Sequence, residues 1–339
     1  MNDLRMTSPL PLVVTLLFFS FAPAPPSFAQ GKEFPIDTTA SCVTSSCHAD
    51  VATKKHVHEA AKGGGSCVEV CHQPTKKDMH AFTRPPSNLS ETCFQCHDAG
   101  KFRGKTAHGP VAAGKCTACH DPHAAENPRL LGKTAPELCF SCHAAQLKDS
   151  QGRTLPPAKR LFEEKNAVRH PPFAEGDCGA CHLPHASETP RLLTENFPGA
   201  FYATWSENAY ALCFSCHSAD PFKEPRTLTG SAFRNGNLNL HYRHVNRAKG
   251  RTCTACHTPH GSRQPKLVRE SFGFGATELP LQYGKTETGG TCATACHGPV
   301  AYDRCDPAEN GMLTTPREGV DAAPQELRRS CGKEEKTRK

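Results

Sequence analysis

The chain is poor in the residues that build an ordinary hydrophobic core. Isoleucine occurs once and tryptophan once, and Leu, Val, Phe and Ile together make 56 of 339 residues, about 17%. That lies under the ~20% below which a chain tends to stay unfolded. Eleven of the 56 fall within the first 29 residues, so the rest of the chain has still less to bury. Aliphatic packing alone is excluded as the source of its fold. Long apolar runs are also missing beyond residue 29, and a bilayer span needs ~20 such residues. Methionine is scarce too, with only Met79 and Met312 after residue 29.

The one apolar run, Leu10 to Phe21, follows Arg5 and precedes Ser27-Phe28-Ala29. This is the layout of an export signal with cleavage after Ala29. A mature protein beginning at Gln30 is expected in the periplasm, with an outer-membrane-associated or extracellular position as the alternative. Thiols are oxidised there, so the use of cysteine becomes informative.

Cysteine is what the chain has in excess, 20 residues beside 19 His. Six stretches read Cys-x-x-Cys-His: Cys93/Cys96/His97, Cys116/Cys119/His120, Cys139/Cys142/His143, Cys178/Cys181/His182, Cys213/Cys216/His217 and Cys253/Cys256/His257. Three more keep the Cys-His end with a longer spacer: Cys42/Cys47/His48, Cys67/Cys71/His72 and Cys292/Cys296/His297. Cys-x-x-Cys-His is the attachment pattern of c-type haem. Each sulfur adds to one vinyl group of the porphyrin, and the adjacent His becomes the proximal iron ligand. Zinc also takes paired Cys and His, but the invariable Cys-His order in an exported chain favours haem. Disulfides compete at the longer spacers, most of all at Cys292/Cys296, because Cys305 and Cys331 lie close behind. A disulfide between Cys305 and Cys331 is the preferred assignment for those two. The expected cofactor count is nine haem c groups, with at least six.

Ten histidines remain as candidate second ligands: His56, His58, His80, His108, His123, His170, His185, His241, His244 and His260. With so little methionine, paired His ligation is expected at nearly every iron, and axial Met is what raises haem potential. Low potentials are therefore expected. Position supports the assignment, since His108, His170 and His244 are separated from a motif by seven or eight residues, and His123, His185 and His260 follow it in a Cys-His-x-Pro-His run. His120 and His123 are too close to take opposite faces of one iron, so His123, His185 and His260 are expected to reach neighbouring haems.

An internal repeat organises these sites. Cys116, Cys178 and Cys253 each open a unit followed by Pro128-Arg-Leu-Leu, Pro190-Arg-Leu-Leu or Pro265-Lys-Leu-Val and then a second Cys pair. Cys67 with Cys93 forms a more distant pair, and Cys42 stands before them. The layout is a leader at 1–29, a multihaem region at 30–299 with sites 42–48, 67–97, 116–143, 178–217 and 253–297, and a polar C-terminal tail at 300–339. The units resemble the doubled Cys-x-x-Cys-His multihaem c cytochromes, from about Ser41 to Pro299. The first four sites are also similar, more loosely, to the opening of periplasmic decahaem conduit cytochromes. The resemblance implies electron transfer and not one fixed substrate.

With 26 Gly and 29 Pro, the expected fold is mostly coil with short helices wrapped around a covalent haem array and little or no sheet. The Pro-Arg-Leu-Leu segments and the aromatics Phe197, Phe201, Tyr202, Trp205, Phe272 and Phe274 are expected against porphyrin. The segment from Arg317 onward is expected to be mobile. The formal charge of +7 does not mark a nucleic-acid binder, because nine ferric haems with their propionates bring the total to about −2.

The leading functional reading is an electron carrier of anaerobic respiration. Its expected partners are a quinol-oxidising membrane complex and other cytochromes, a terminal reductase or extracellular metal acceptors. The alternatives are a multihaem reductase of nitrite, hydroxylamine or sulfur oxyanions, and a filament or porin-conduit cytochrome. No catalytic residue stands out, and a chain whose core is porphyrin should not fold without it.

Overall fold

The computed structural model describes residues 33–37, 40–62, 67–83, 88–149, 152–310 and 322–331. The expected leader lies outside them. No described helix is long and apolar enough to cross a membrane.

Helices are short, as the Gly and Pro content dictates. The longest described one, Ala135–His143, runs nine residues with Pro136 in its first turn, where proline's missing N–H costs nothing. It carries Cys139, Cys142 and His143, and the spacings i, i+3 and i+4 put all three on one face.

Two-residue antiparallel ladders join one repeat to the next. His56–Val57 pairs with Ala124–Ala125, Thr106–Ala107 with Ala186–Ser187, and Val168–Arg169 with Gly261–Ser262. Each ladder ends at a histidine. The His58 N–H donates to the His123 carbonyl at 2.8 Å, His108 to His185 at 2.9 Å and His170 to His260 at 3.1 Å. Each of these donors then starts a short helix (Glu59–Ala61, Gly109–Ala112 and Pro171–Ala174). The histidine ahead of one motif is thereby tied to the histidine behind a later motif.

The expectation of little or no sheet is corrected at the C-terminal end. Strands Ser271–Phe274, Thr277–Lys285, Gly289–Thr294 and His297–Asp303 form a four-stranded antiparallel meander. Six two-stranded ladders accompany it among the described residues. Leu279, Leu281 and Tyr283 alternate along the second strand, the period of a half-buried strand. Val268, Phe272 and Leu281 form a buried cluster against Phe201, Leu279, Tyr283 and Cys292. This is the largest patch of conventional packing that the chain's sparse aliphatics support.

The segment read as a polar tail also holds structure. Helix Pro324–Ser330 buries Leu327, and Cys305 is disulfide-bonded to Cys331. Arg234, 1% exposed, gathers this end by donating to the carbonyls of Gly236 and Arg304 and to the Ser330 hydroxyl. A charged end can be ordered because a covalent bridge and a buried guanidinium compensate for its lack of apolar contacts.

Candidate haem centres

The eighteen motif cysteines are free thiols. At Cys116–Ala118 and Cys178–Ala180 the motif winds into one 3-10 turn; at Ser90–Cys93, Ala211–Phe214 and Cys253–Cys256 it adjoins or forms a helical turn. In several sites the N–H of the His donates to the carbonyl of the first Cys, for example His97 to Cys93, His120 to Cys116 and His182 to Cys178, at 3.0–3.1 Å. Local winding thus projects two sulfurs and one imidazole from a single turn. The site at Cys292/Cys296 is built differently, on a bulged strand pair, with Cys292 in one strand and His297 opening the next.

The two thiols of most motifs differ in exposure. The first cysteine of every motif is half-buried, but the second is exposed at Cys47, Cys71, Cys96, Cys142, Cys216 and Cys296. Cys47, Cys96, Cys216 and Cys296 therefore stand at the solvent-facing edge of their sites. Each of these four closes its turn through its own backbone, as the half-buried Cys119 and Cys181 also do. The Cys96 and Cys216 N–H groups donate to the carbonyls of Cys93 and Cys213 at 3.2 and 3.3 Å. Those of Cys47 and Cys296 donate to Thr44 Oγ1 and Thr294 Oγ1 at 3.0 and 3.1 Å. Vinyl groups lie on the rim of a porphyrin, so a thiol at the edge still suits thioether formation. Cys119, Cys181 and Cys256 are the second cysteines that are half-buried.

Seven motif histidines face a second histidine at a nearly constant separation. The ring centroids are 6.1 Å apart for His48 and His80, 5.8 Å for His72 and His123, 6.0 Å for His97 and His58, and 6.3 Å for His143 and His108. They are 5.9 Å apart for His120 and His185, 6.0 Å for His217 and His170, and 6.2 Å for His182 and His260. His257 and His297 have His241 and His244 as neighbours, close enough for each pair to oppose its own protonation. Seven motif histidines thus face a second ring and two more have one nearby, and among the described residues His56 alone of the ten candidates has no such partner. Its backbone serves the first inter-repeat ladder instead. His123, His185 and His260 meet histidines of other motifs than the one each follows.

The separation has a chemical reading. Two metal–nitrogen bonds of about 2 Å, plus about 1.2 Å from each nitrogen to its ring centre, put coaxial imidazoles about 6.4 Å apart. Burial lowers the pKa of His58, His72, His108, His170, His182, His185 and His257. It brings His241, His244 and His260 down to about 4. Neutral imidazole is the ligating form.

Three of the motif histidines share a further bond of one kind that sequence reading missed, while a fourth, His297, places Nδ1 2.8 Å from the carbonyl of its own neighbour Gly298. His120 Nδ1 is 2.8 Å from the Arg129 carbonyl, His182 Nδ1 is 3.0 Å from that of Arg191, and His257 Nδ1 is 3.0 Å from that of Lys266. Each acceptor lies nine residues on, in the Pro-Arg-Leu or Pro-Lys-Leu turn. Two successive residues of each turn have positive φ: Arg129 and Leu130 at 58° and 57°, Arg191 and Leu192 at 62° and 58°, Lys266 and Leu267 at 60° and 58°. Left-handed backbone costs about 1–2 kcal/mol per non-glycine residue, so the surroundings must hold it. They do so from both sides: Asp121 N–H donates to the Leu130 carbonyl and Gly132 N–H to that of Cys119, with matching pairs at Leu183/Leu192, Thr194/Cys181, Thr258/Leu267 and Arg269/Cys256.

Thiols link consecutive sites in chain order. The thiols of Cys42 and Cys67, Cys93 and Cys116, Cys139 and Cys178, and Cys213 and Cys253 lie close enough to act on each other's ionisation. The intervening junctions bring Cys71 near Cys93, Cys119 near Cys142, Cys181 near Cys213 and Cys216, and Cys256 near Cys292 and Cys296. Burial, with neighbouring thiols, pushes Cys93 and Cys256 up to about 11. A cavity of about 540 Å³ lies at Cys119, His120, Gly132, Leu138 and Ser141, within the range of small-molecule and cofactor sites. Among the described residues no three His, Cys, Asp or Glu side chains gather to hold an ion by themselves. Two facing imidazoles about 6 Å apart beside two thiols fit a metal whose other four ligands come from a planar macrocycle.

The class this defines is a haem c protein, since Cys-x-x-Cys-His is the signature of covalent haem attachment. The family model described as the doubled CXXCH motif matches residues 108–148, 170–222 and 244–277. Those segments carry three copies of the motif of the doubled-CXXCH multihaem c-type cytochromes, the family that the sequence resembles. No curated protein matches the chain.

Proposed function

We propose that the protein is a periplasmic multihaem c-type cytochrome that carries electrons in anaerobic respiration. The observation that supports this most is the set of seven facing imidazole pairs, with a further histidine near each of the other two motif histidines. In this reading each motif His is the proximal ligand and its partner the distal one: His80 for the site at Cys42, His123 for Cys67, His58 for Cys93 and His185 for Cys116. His108 serves Cys139, His260 serves Cys178, His170 serves Cys213, His241 serves Cys253 and His244 serves Cys292. Bound haem c would supply a one-electron ferric/ferrous couple at each pair. The chain's own part is to saturate every iron with nitrogen, keep substrates off it and hold consecutive sites side by side, as the thiol junctions do.

Saturation argues for transfer over turnover, because reductive catalysis at haem needs an open position. The donor is a quinol-oxidising membrane complex and the acceptor a further cytochrome, a terminal reductase or an extracellular metal acceptor. The looser similarity to conduit cytochromes makes an outer-membrane porin a further partner. Low-temperature EPR of the oxidised holoprotein tests the reading. Low-spin ferric signals accounting for all the haem are expected, whereas a strong high-spin signal would reveal an open iron and favour the reductase alternative.

A further inference from the structure

The three strained turns recur at one place in each unit. They contact the motif His of the first site only: His120, His182 and His257. The second sites of the two complete units differ, since the His143 and His217 rings have no hydrogen-bond partner among the described residues. The ring planes differ in step. His120 and His185 are inclined at 41°, and His182 and His260 at 37°. The five other measured pairs lie at 13–24°. Thiol exposure follows the same division, because Cys119, Cys181 and Cys256 are half-buried where Cys142, Cys216 and Cys296 are exposed.

We infer that the Pro-Arg-Leu and Pro-Lys-Leu turns are positioning devices that make the haems at Cys116, Cys178 and Cys253 a distinct class. This rests on the proximal-ligand reading above. A carbonyl that accepts the Nδ1 proton fixes the tautomer, leaving Nε2 as the ligating atom, and pins the ring about its axis. It also makes the imidazole a more basic ligand. A more basic ligand favours ferric over ferrous iron, so each turn lowers the potential of its haem. Along the array, lowered and unmodified haems then alternate through the two complete units.

The strain is what ties this role to the turn. Nothing in an ordinary connection requires two adjacent left-handed residues without glycine, and such strain persists where the surroundings over-determine it. Here both flanks are hydrogen-bonded to the Cys-His segment, and the product is one carbonyl directed at one ring nitrogen. The Arg129, Arg191 and Lys266 side chains are exposed, so the backbone and not the cation makes the contact.

The test compares Arg129→Pro with Arg129→Gly in the holoprotein. Proline cannot reach φ near +58°, whereas glycine adopts it freely. Intact mass and the low-spin EPR total serve as controls for the underlying reading; if they change in Arg129→Gly, that reading fails separately. With both controls unchanged, Arg129→Pro is expected to raise the midpoint potential of one haem. Its ferric-to-ferrous ratio should fall about fivefold at fixed applied potential, the size of one lost hydrogen bond, and its low-spin g-anisotropy should change. Arg129→Gly is expected to leave both as they are. Equal shifts in the two variants, or none in Arg129→Pro, would overturn the inference. Should Arg129→Pro lose its haem, exchange of the imidazole Nδ1 proton in the unmodified protein decides: slower at His120, His182 and His257 than at His143 and His217 is expected, and equal rates would overturn it.

Discussion

A Cys-His dipeptide was legible wherever it occurred, because covalent attachment demands that two sulfurs and one imidazole come from a single turn. The unequal exposure of the two sulfurs was not, since Cys96 and Cys119 sit in the same Cys-x-x-Cys-His pattern and only the packing of their turns separates them. The distal histidines were legible as a set, through their fixed offsets, but their partners were not. His185 follows Cys178 by seven residues, yet it faces His120 at 5.9 Å, a pairing created by a ladder between repeats that no local pattern encodes. His58 stands ahead of Cys67 at the spacing of His244 ahead of Cys253, whereas His56 does not, and the ladder at His56–Val57 gives its backbone another use. The cross-pairing predicts that His185→Ala leaves the covalent haem count unchanged and turns one haem high-spin. That haem should be the one lost in Cys116→Ala and not the one lost in Cys178→Ala. Comparing EPR of His185→Ala with EPR of each double variant checks this, since the high-spin signal should vanish only with Cys116→Ala.

Among the elements, the short helices around the motifs follow from Gly and Pro spacing and were expected. The C-terminal meander was not, although Leu279, Leu281 and Tyr283 alternate along Thr277–Lys285 and Gly275 supplies a positive φ of 60° in the preceding turn. Phe272, expected against porphyrin, packs instead in the buried cluster with Val268 and Leu281. The strained turns were illegible for a plain reason: positive φ is usually announced by glycine, and here Arg, Lys and Leu adopt it. The inter-repeat ladders do use glycine, for close approach. A Cβ on Gly104 would sit 2.7 Å from the Ser187 carbonyl oxygen, and one on Gly261 would sit 2.9 Å from that of Val168. Gly104→Ala should therefore destabilise the junction between Thr106–Ala107 and Ala186–Ser187 by about 1–3 kcal/mol. A lowered urea midpoint of the holoprotein checks this, and an unchanged midpoint would mean that the junction gives way without cost.

For the molecule as a whole, the low aliphatic content that first suggested disorder has a structural counterpart. The buried apolar residues are few and scattered, and outside the C-terminal sheet the chain is arranged around facing imidazoles and thiols. Backbone ladders carry the repeat forward, while the disulfide, the meander and Arg234 close its far end. On the proposed reading, a protein built this way would depend on its cofactor for its interior, each attachment motif supplying one part of it. The three sites with longer spacers fall into the same sequence of imidazole pairs and thiol junctions as the six with short ones. The intact mass of the exported holoprotein tests this account most directly. A chain beginning at Gln30 and carrying nine covalent haems is the predicted result, and a chain carrying only six would contradict it.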